Sequence, residues 1–110
     1  MQSQVFINCP YDEDYKHLFF ALIYICVFFG CEPIFAACEE SSSDRMETII
    51  HCIEKSKYAI HDISKINVET PRYNMPFELG MYYMHIHEKG KNKKMLILEH
   101  SCNSEITPIE

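Results

Sequence analysis

Apolar residues alternate along this chain between short unbroken runs and longer stretches spaced in threes and fours. Val5-Phe6-Ile7, Tyr58-Ala59-Ile60-His61-Asp62-Ile63 and Lys94-Met95-Leu96-Ile97-Leu98 are runs without helical period. Such runs suit buried parallel strands. Cys31 to Ala37 reads as a further strand, weakened by Pro33, which lacks a ladder donor. Between them lie three helical patterns, Glu13 to Phe29, Arg45 to Ser56 and Pro76 to Glu88. The first is apolar nearly all round in its second half, which predicts burial on most sides. Gly30 follows it as a natural stop. The second places Met46, Ile49, Ile50 and Ile53 on one face, with Ser43 or Asp44 available as its cap. In the third, Pro76 suits the first helical position and Asn74 lies near the N-cap, with Gly90 at its end.

The order strand, helix, strand, helix, strand, helix, strand predicts right-handed crossovers and a parallel sheet covered on both faces. The expected fold is a small doubly wound, flavodoxin-like α/β sheet of four strands, forming a single domain over residues 1–110. A complete domain of this type carries a fifth strand and a last helix. Their absence predicts a truncated form, a fragment, or a partner that covers the open edge.

Composition narrows the function. The chain has 110 residues and a net charge of −6, which argues against a phosphate-neutralising nucleic-acid surface or a polybasic membrane anchor. Leu18 to Phe29 is too short to span a bilayer, and the N-terminus lacks the basic start of a signal peptide. Cysteines at 9, 26, 31, 38, 52 and 102 form no Cys-x-x-Cys pair, so no metal site is expected. They read as reduced, buried residues of a cytoplasmic protein. No glycine-rich phosphate loop is present.

In an α/β sheet, chemistry collects beyond the strand C-termini. The first strand end supplies Asn8, Tyr11, Asp12 and Asp14, and the second supplies Glu39, the serines 41 to 43 and Arg45. The third supplies His61, Asp62 and Ser64, then Arg72, Asn74 and Glu78. Glu78 falls about one turn into its helix, near the positive end of the helix dipole. A carboxylate there can meet the positive ribose carbon that develops when an N-glycosidic bond breaks. Arg45 or Arg72 can hold a phosphate or a sugar hydroxyl, and Tyr11 can stack on a base. Capping competes for Glu78, but the Asn74 to Glu78 spacing is one residue too long for a capping box. Asp62 equally suits a turn, and His61 a packed core histidine.

Three blocks, Val5 to Asp12, Tyr58 to Ser64 and Pro71 to Gly80, resemble small bacterial proteins of one superfamily. That superfamily joins nucleoside 2-deoxyribosyltransferases with Toll/interleukin-1 receptor (TIR) domains. The resemblance covers nearly the whole chain up to Leu98. It implies a site built from Asp62, Asn74 and Glu78, with Glu78 as nucleophile or cation stabiliser. In bacterial TIR enzymes a Glu at a similar place is required for splitting NAD, often in anti-phage defence. The resemblance therefore implies an NAD glycohydrolase or cyclase, with NAD as substrate and no cofactor. Asn8, Tyr11, Asp12, Arg45, Asp62, Arg72 and Asn74 would bind substrate. On the same resemblance, a homo-oligomer would complete the site and an effector protein would be a further partner. Base exchange between deoxynucleosides, or a non-catalytic nucleotide-sensing or self-associating module, remain as alternatives. Transferases usually carry an acidic residue where Asn74 stands, and they complete the site with a neighbouring subunit's C-terminal part, for which this chain offers no clear equivalent.

Overall fold

Four parallel strands, β1 (Gln4–Asn8), β2 (Glu32–Ile34), β3 (Tyr58–Asp62) and β4 (Lys94–Leu98), make one sheet in the order β2-β1-β3-β4 in a computed structural model of the chain. The structure describes residues 2–36, 42–64, 74–89 and 92–99, without the side chains of 42–45 and 74. The strands alternate with α1 (Lys16–Phe28), entered through a 3₁₀ turn at Glu13–Tyr15, α2 (Ser42–Lys55) and α3 (Asn74–Lys89). The expected doubly wound α/β architecture is the one found.

Alternation along the strands sorts the core into two layers. Val5 and Ile7 point toward α1, where they meet Tyr15 and Cys26. Phe6 and Ala59 point the other way, toward Ile49, Cys52 and Ile53 of α2 and Tyr82 of α3. Phe6 and Tyr82 are completely buried and stack with ring centroids 6.3 Å apart. A third cluster, Ile63, Met75 and Leu79, seats the start of α3 beside the end of β3.

Helix ends follow their sequence cues in part. α1 stops in a Schellman turn: Cys31 N–H donates to Cys26 O at 2.8 Å and Gly30 N–H to Val27 O at 3.0 Å. Gly30 has φ +75°, a conformation that glycine adopts without a Cβ penalty. α3 begins at Asn74, two residues earlier than the proline signal suggests, and Pro76 is its third residue. The first turn of a helix needs no internal N–H donors, so proline is equally tolerated there. α2 begins at Ser42 and takes in Ser43 and Asp44, so neither precedes the helix as its cap. Gly90, expected to end α3, lies outside the described residues.

One expectation fails. The second half of α1 is not buried on most sides. Tyr24, Phe28 and Phe29 are 70%, 70% and 72% exposed, and Leu18, Phe20, Ile25 and Val27 are also exposed. Among the described residues, only the face carrying Tyr15, Phe19, Leu22, Ile23 and Cys26 is packed on the sheet. A helix on the outside of a sheet has one neighbour below it. Among the described residues, no second helix lies on that side to cover the rest.

Candidate functional site

The sheet order reverses direction between β1 and β3, the switch point at which such folds open a crevice. Asn8, the last residue of β1, is in register with His61 on β3. Asp62 follows His61, and α3 leaves from the same end of the sheet. Asn8, His61, Asp62 and Glu78 are all 5% exposed or less. Buried polar groups need hydrogen bonds, so their partners show what each one does.

Asn8 Nδ2 donates to Met75 O and to His61 Nδ1, each at 2.9 Å. A carbonyl can only accept, so the first contact fixes which amide atom is nitrogen. His61 Nδ1 then accepts, and the imidazole proton sits on Nε2. His61 is fully buried, and burial lowers its pKa to about 4. It is a neutral histidine wedged edge-on against Phe6 and Tyr82, with ring centroids at 6.1 and 5.3 Å. The packed reading of His61 therefore fits better than a catalytic base. Asn8 is a tie between β1, β3 and the first turn of α3, and both its donors are committed.

Asp62 is clasped from two sides. Its Oδ1 accepts from Ser64 N–H at 2.9 Å and from the Ser64 hydroxyl at 2.5 Å, the turn chemistry typical of Asp. Its Oδ2 accepts from the Tyr15 hydroxyl in a short bond. A carboxylate offers about four acceptor positions, so roughly one is left for a ligand. Tyr15 was not among the sequence candidates. Its neighbours Asp12, Glu13 and Asp14 marked a helix start, and nothing local pointed to a phenol reaching across to β3. Burial, and then the bond to Asp62, hold its hydroxyl well above the usual phenol range.

Glu78 stands at the start of the second turn of α3, and its Oε2 is completely buried. Behind burial and one stronger charge effect in each case, its carboxylate contributes to the raised thiol pKa of Cys9 and of Cys52. Burial first, then Asp62, Glu78 and Asp12, push the Cys9 thiol up to about 12, so it stays protonated and unreactive. Cys9, Cys26 and Cys52 are buried free thiols, as the sequence suggests, whereas Cys31, also free, is only partly buried just past the end of α1.

The other candidates separate. Tyr11 donates to Ile7 O at 2.6 Å and packs against Phe19 and Phe35, so its ring is already engaged. It lines a hollow of about 260 Å³ with Asp12, Glu13, Lys16, Phe19 and Phe35, at the mouth of α1. Glu78 and Asp62 line neither this hollow nor the other described ones. Arg72, Glu39 and Ser41 lie outside the described residues, as do the side chains of Arg45 and Asn74. So do most of the connections leaving β2 and β3 at this end, residues 37–41 and 65–73. Among the described residues no cluster of His, Cys, Asp or Glu is arranged to hold a metal, and no helix is long and apolar enough to cross a membrane.

The fold has a solved counterpart. A 2-desoxiribosyltransferase from Leishmania mexicana superposes with a TM-score of 0.68, at 16% sequence identity, over 88% of this chain and 64% of its own. That likeness is one of fold. No family model and no curated protein matches the chain.

Proposed function

We propose that this domain breaks the N-glycosidic bond of a nucleoside or nucleotide, with Glu78 as the carboxylate that meets the ribosyl carbon. What supports the reading is that Asp62 and the Asn8–His61 pair lie buried at the β1/β3 switch point, that Asn8 ties the first turn of α3 to it through Met75 O, and that Glu78 is buried one turn into the same helix. In the step, the bond from C1′ to the base nitrogen breaks and its electron pair leaves with the base. Positive charge builds on C1′ and the ring oxygen. A carboxylate removed from water stabilises that charge far more than a solvated one, or closes on C1′ as a covalent ester. Water or a second base then takes the sugar. Asp62, oriented by Tyr15 and Ser64, has one acceptor position suited to a sugar hydroxyl. Arg45 and Arg72 are proposed for phosphate, and Asn74 for the ribose edge.

Two substrate classes follow. The likeness in fold to a deoxyribosyltransferase favours base exchange on a deoxynucleoside. The resemblance of the three sequence blocks to TIR-type proteins favours NAD, with loss of nicotinamide and a role in defence signalling. One experiment addresses both. The protein is incubated with NAD, and separately with a deoxynucleoside plus a second free base, and the bases are separated by chromatography. Wild type releases or exchanges a base in one of the two, and Glu78→Gln does not. Turnover that survives in Glu78→Gln, or nucleotide binding without turnover of either substrate, would refute the catalytic role.

A further inference from the structure

α1 carries two faces, and among the described residues only one is packed. Tyr15, Phe19, Leu22, Ile23 and Cys26 pack on the sheet. Leu18, Ala21, Ile25 and Phe28 recur at three- and four-residue intervals along a second line, the spacing of a helix-pairing seam, with Phe29 beside it. All five are exposed, Ile25 by 48% and Phe28 by 70%. Beside this seam, no element among the described residues covers the sheet. Tyr58, Ile60 and Leu96 floor a hollow of about 290 Å³ walled by Ile25, Cys26 and Phe29, and its lining carries one charge, Lys94. Leu96 is 55% exposed although its strand neighbour Met95 packs against α2 and α3.

We propose that a second copy of this chain covers this face, α1 against α1 about a two-fold axis. The seam and the hollow lie side by side, so a two-fold contact sets the ridge of each copy against the groove of the other. Cavities of about 150 Å³ already hold benzene. The hollow therefore has room for the Phe28 or Phe29 ring of the partner. Taking about 150–250 Å² for each large side chain, the exposed parts of Leu18, Ile25, Phe28, Phe29 and Leu96 amount to roughly 450–750 Å². The upper part of that range approaches the ~800 Å² per partner of a stable interface and exceeds the largest apolar patch of a typical monomer. Each copy carries −6, yet the lining of this hollow has no carboxylate, so the contact brings no acids together. The acidic turn Asp12 to Asp14 is at the opposite end of α1, with the candidate site.

Sedimentation of the whole chain tests this without any substrate. The expected mass is twice 13.0 kDa at micromolar concentration. Ile25→Glu and Phe28→Glu should weaken self-association by about a hundredfold, the effect of a charge at an interface centre. Val27→Glu, on the far side of the helix and 59% exposed, should leave the dimer intact. All three positions are solvent-facing, and circular dichroism confirms that each variant is folded. A monomeric wild type, a dimer that survives both Ile25→Glu and Phe28→Glu, or dissociation by Val27→Glu alone would overturn the proposal.

Discussion

The Tyr15 hydroxyl donates a hydrogen bond to Asp62 Oδ2, joining the turn before α1 to the end of β3 across 47 residues of sequence. Both side chains are buried. The bond sets the direction of the one carboxylate acceptor left for a ligand, and it ties the α1 layer to the switch point. Tyr15→Phe removes the donor and keeps the ring. It should cost about 1–3 kcal/mol, because a buried carboxylate oxygen loses its partner. Urea denaturation measures the loss. On the proposed chemistry, Tyr15→Phe should raise KM more than it lowers kcat, since Asp62 holds the sugar and not the reacting carbon.

His61 makes stability depend on pH. Its pKa is lowered by burial from 6.5 to about 4 in the folded chain. The unfolded chain therefore binds a proton that the folded chain refuses. Stability is full above about 6.5 and is lost as pH falls from there toward 4. The whole effect corresponds to about 3 kcal/mol, of which about half has gone by pH 5.5. His85, lowered by burial and by Lys93, acts in the same direction. Urea midpoints between pH 7.5 and 5.5 should decline in wild type. They should decline less in His61→Gln, which keeps an acceptor for Asn8 and cannot titrate. Equal slopes would mean that His61 is not the group responsible.

Lys93 closes the C-terminus of α2. Its ammonium donates to Ile53 O at 2.7 Å and to Glu54 O at 2.8 Å, and lies 2.8 Å from His85 Nε2. The last carbonyls of a helix lack internal donors, and a cation there also opposes the helix dipole. Lys93→Met keeps the aliphatic stem and should cost about 1–2 kcal/mol in thermal unfolding. Nothing local in the sequence points to this role. The run from Lys89 to Lys94 reads as a solvated loop, and the carbonyls it serves lie about 40 residues away.

That contrast holds more widely. Strand and helix order was legible because periodicity is a local property, and β4 was located to the residue. The candidate carboxylates were legible because they follow strand ends and helix starts. Tyr15, the Asn8–His61 link and the Ser56–Tyr82 hydrogen bond were not. Each joins segments whose approach is set by the sheet. The burial of α1 was misread for a related reason. Apolar positions all round a helix show what it can bury, and they do not show that an element of the same chain lies there to cover them.

Gly80 offers a clean test of local stability. It is exposed in the interior of α3, and a Cβ built there meets nothing within 4 Å. Glycine in a helix costs about 0.5–1 kcal/mol relative to alanine. Gly80→Ala should raise the unfolding free energy by about that amount. If it also lowers turnover, Gly80 is needed for close approach of a ligand and not for the helix.

Glu78→Gln separates a structural acid from a functional one. The side chain is 4% exposed, and keeping an ionised carboxylate out of water is costly. Glutamine preserves the volume and removes the charge. If Glu78 is kept for chemistry, the variant should unfold about 1 kcal/mol later than wild type while glycosidic cleavage falls by at least about a hundredfold, the stability–activity exchange found at active sites. If Glu78 instead caps or cements α3, the same variant should be less stable. Thermal unfolding measured on the two proteins side by side therefore bears on the mechanism even before a substrate is known.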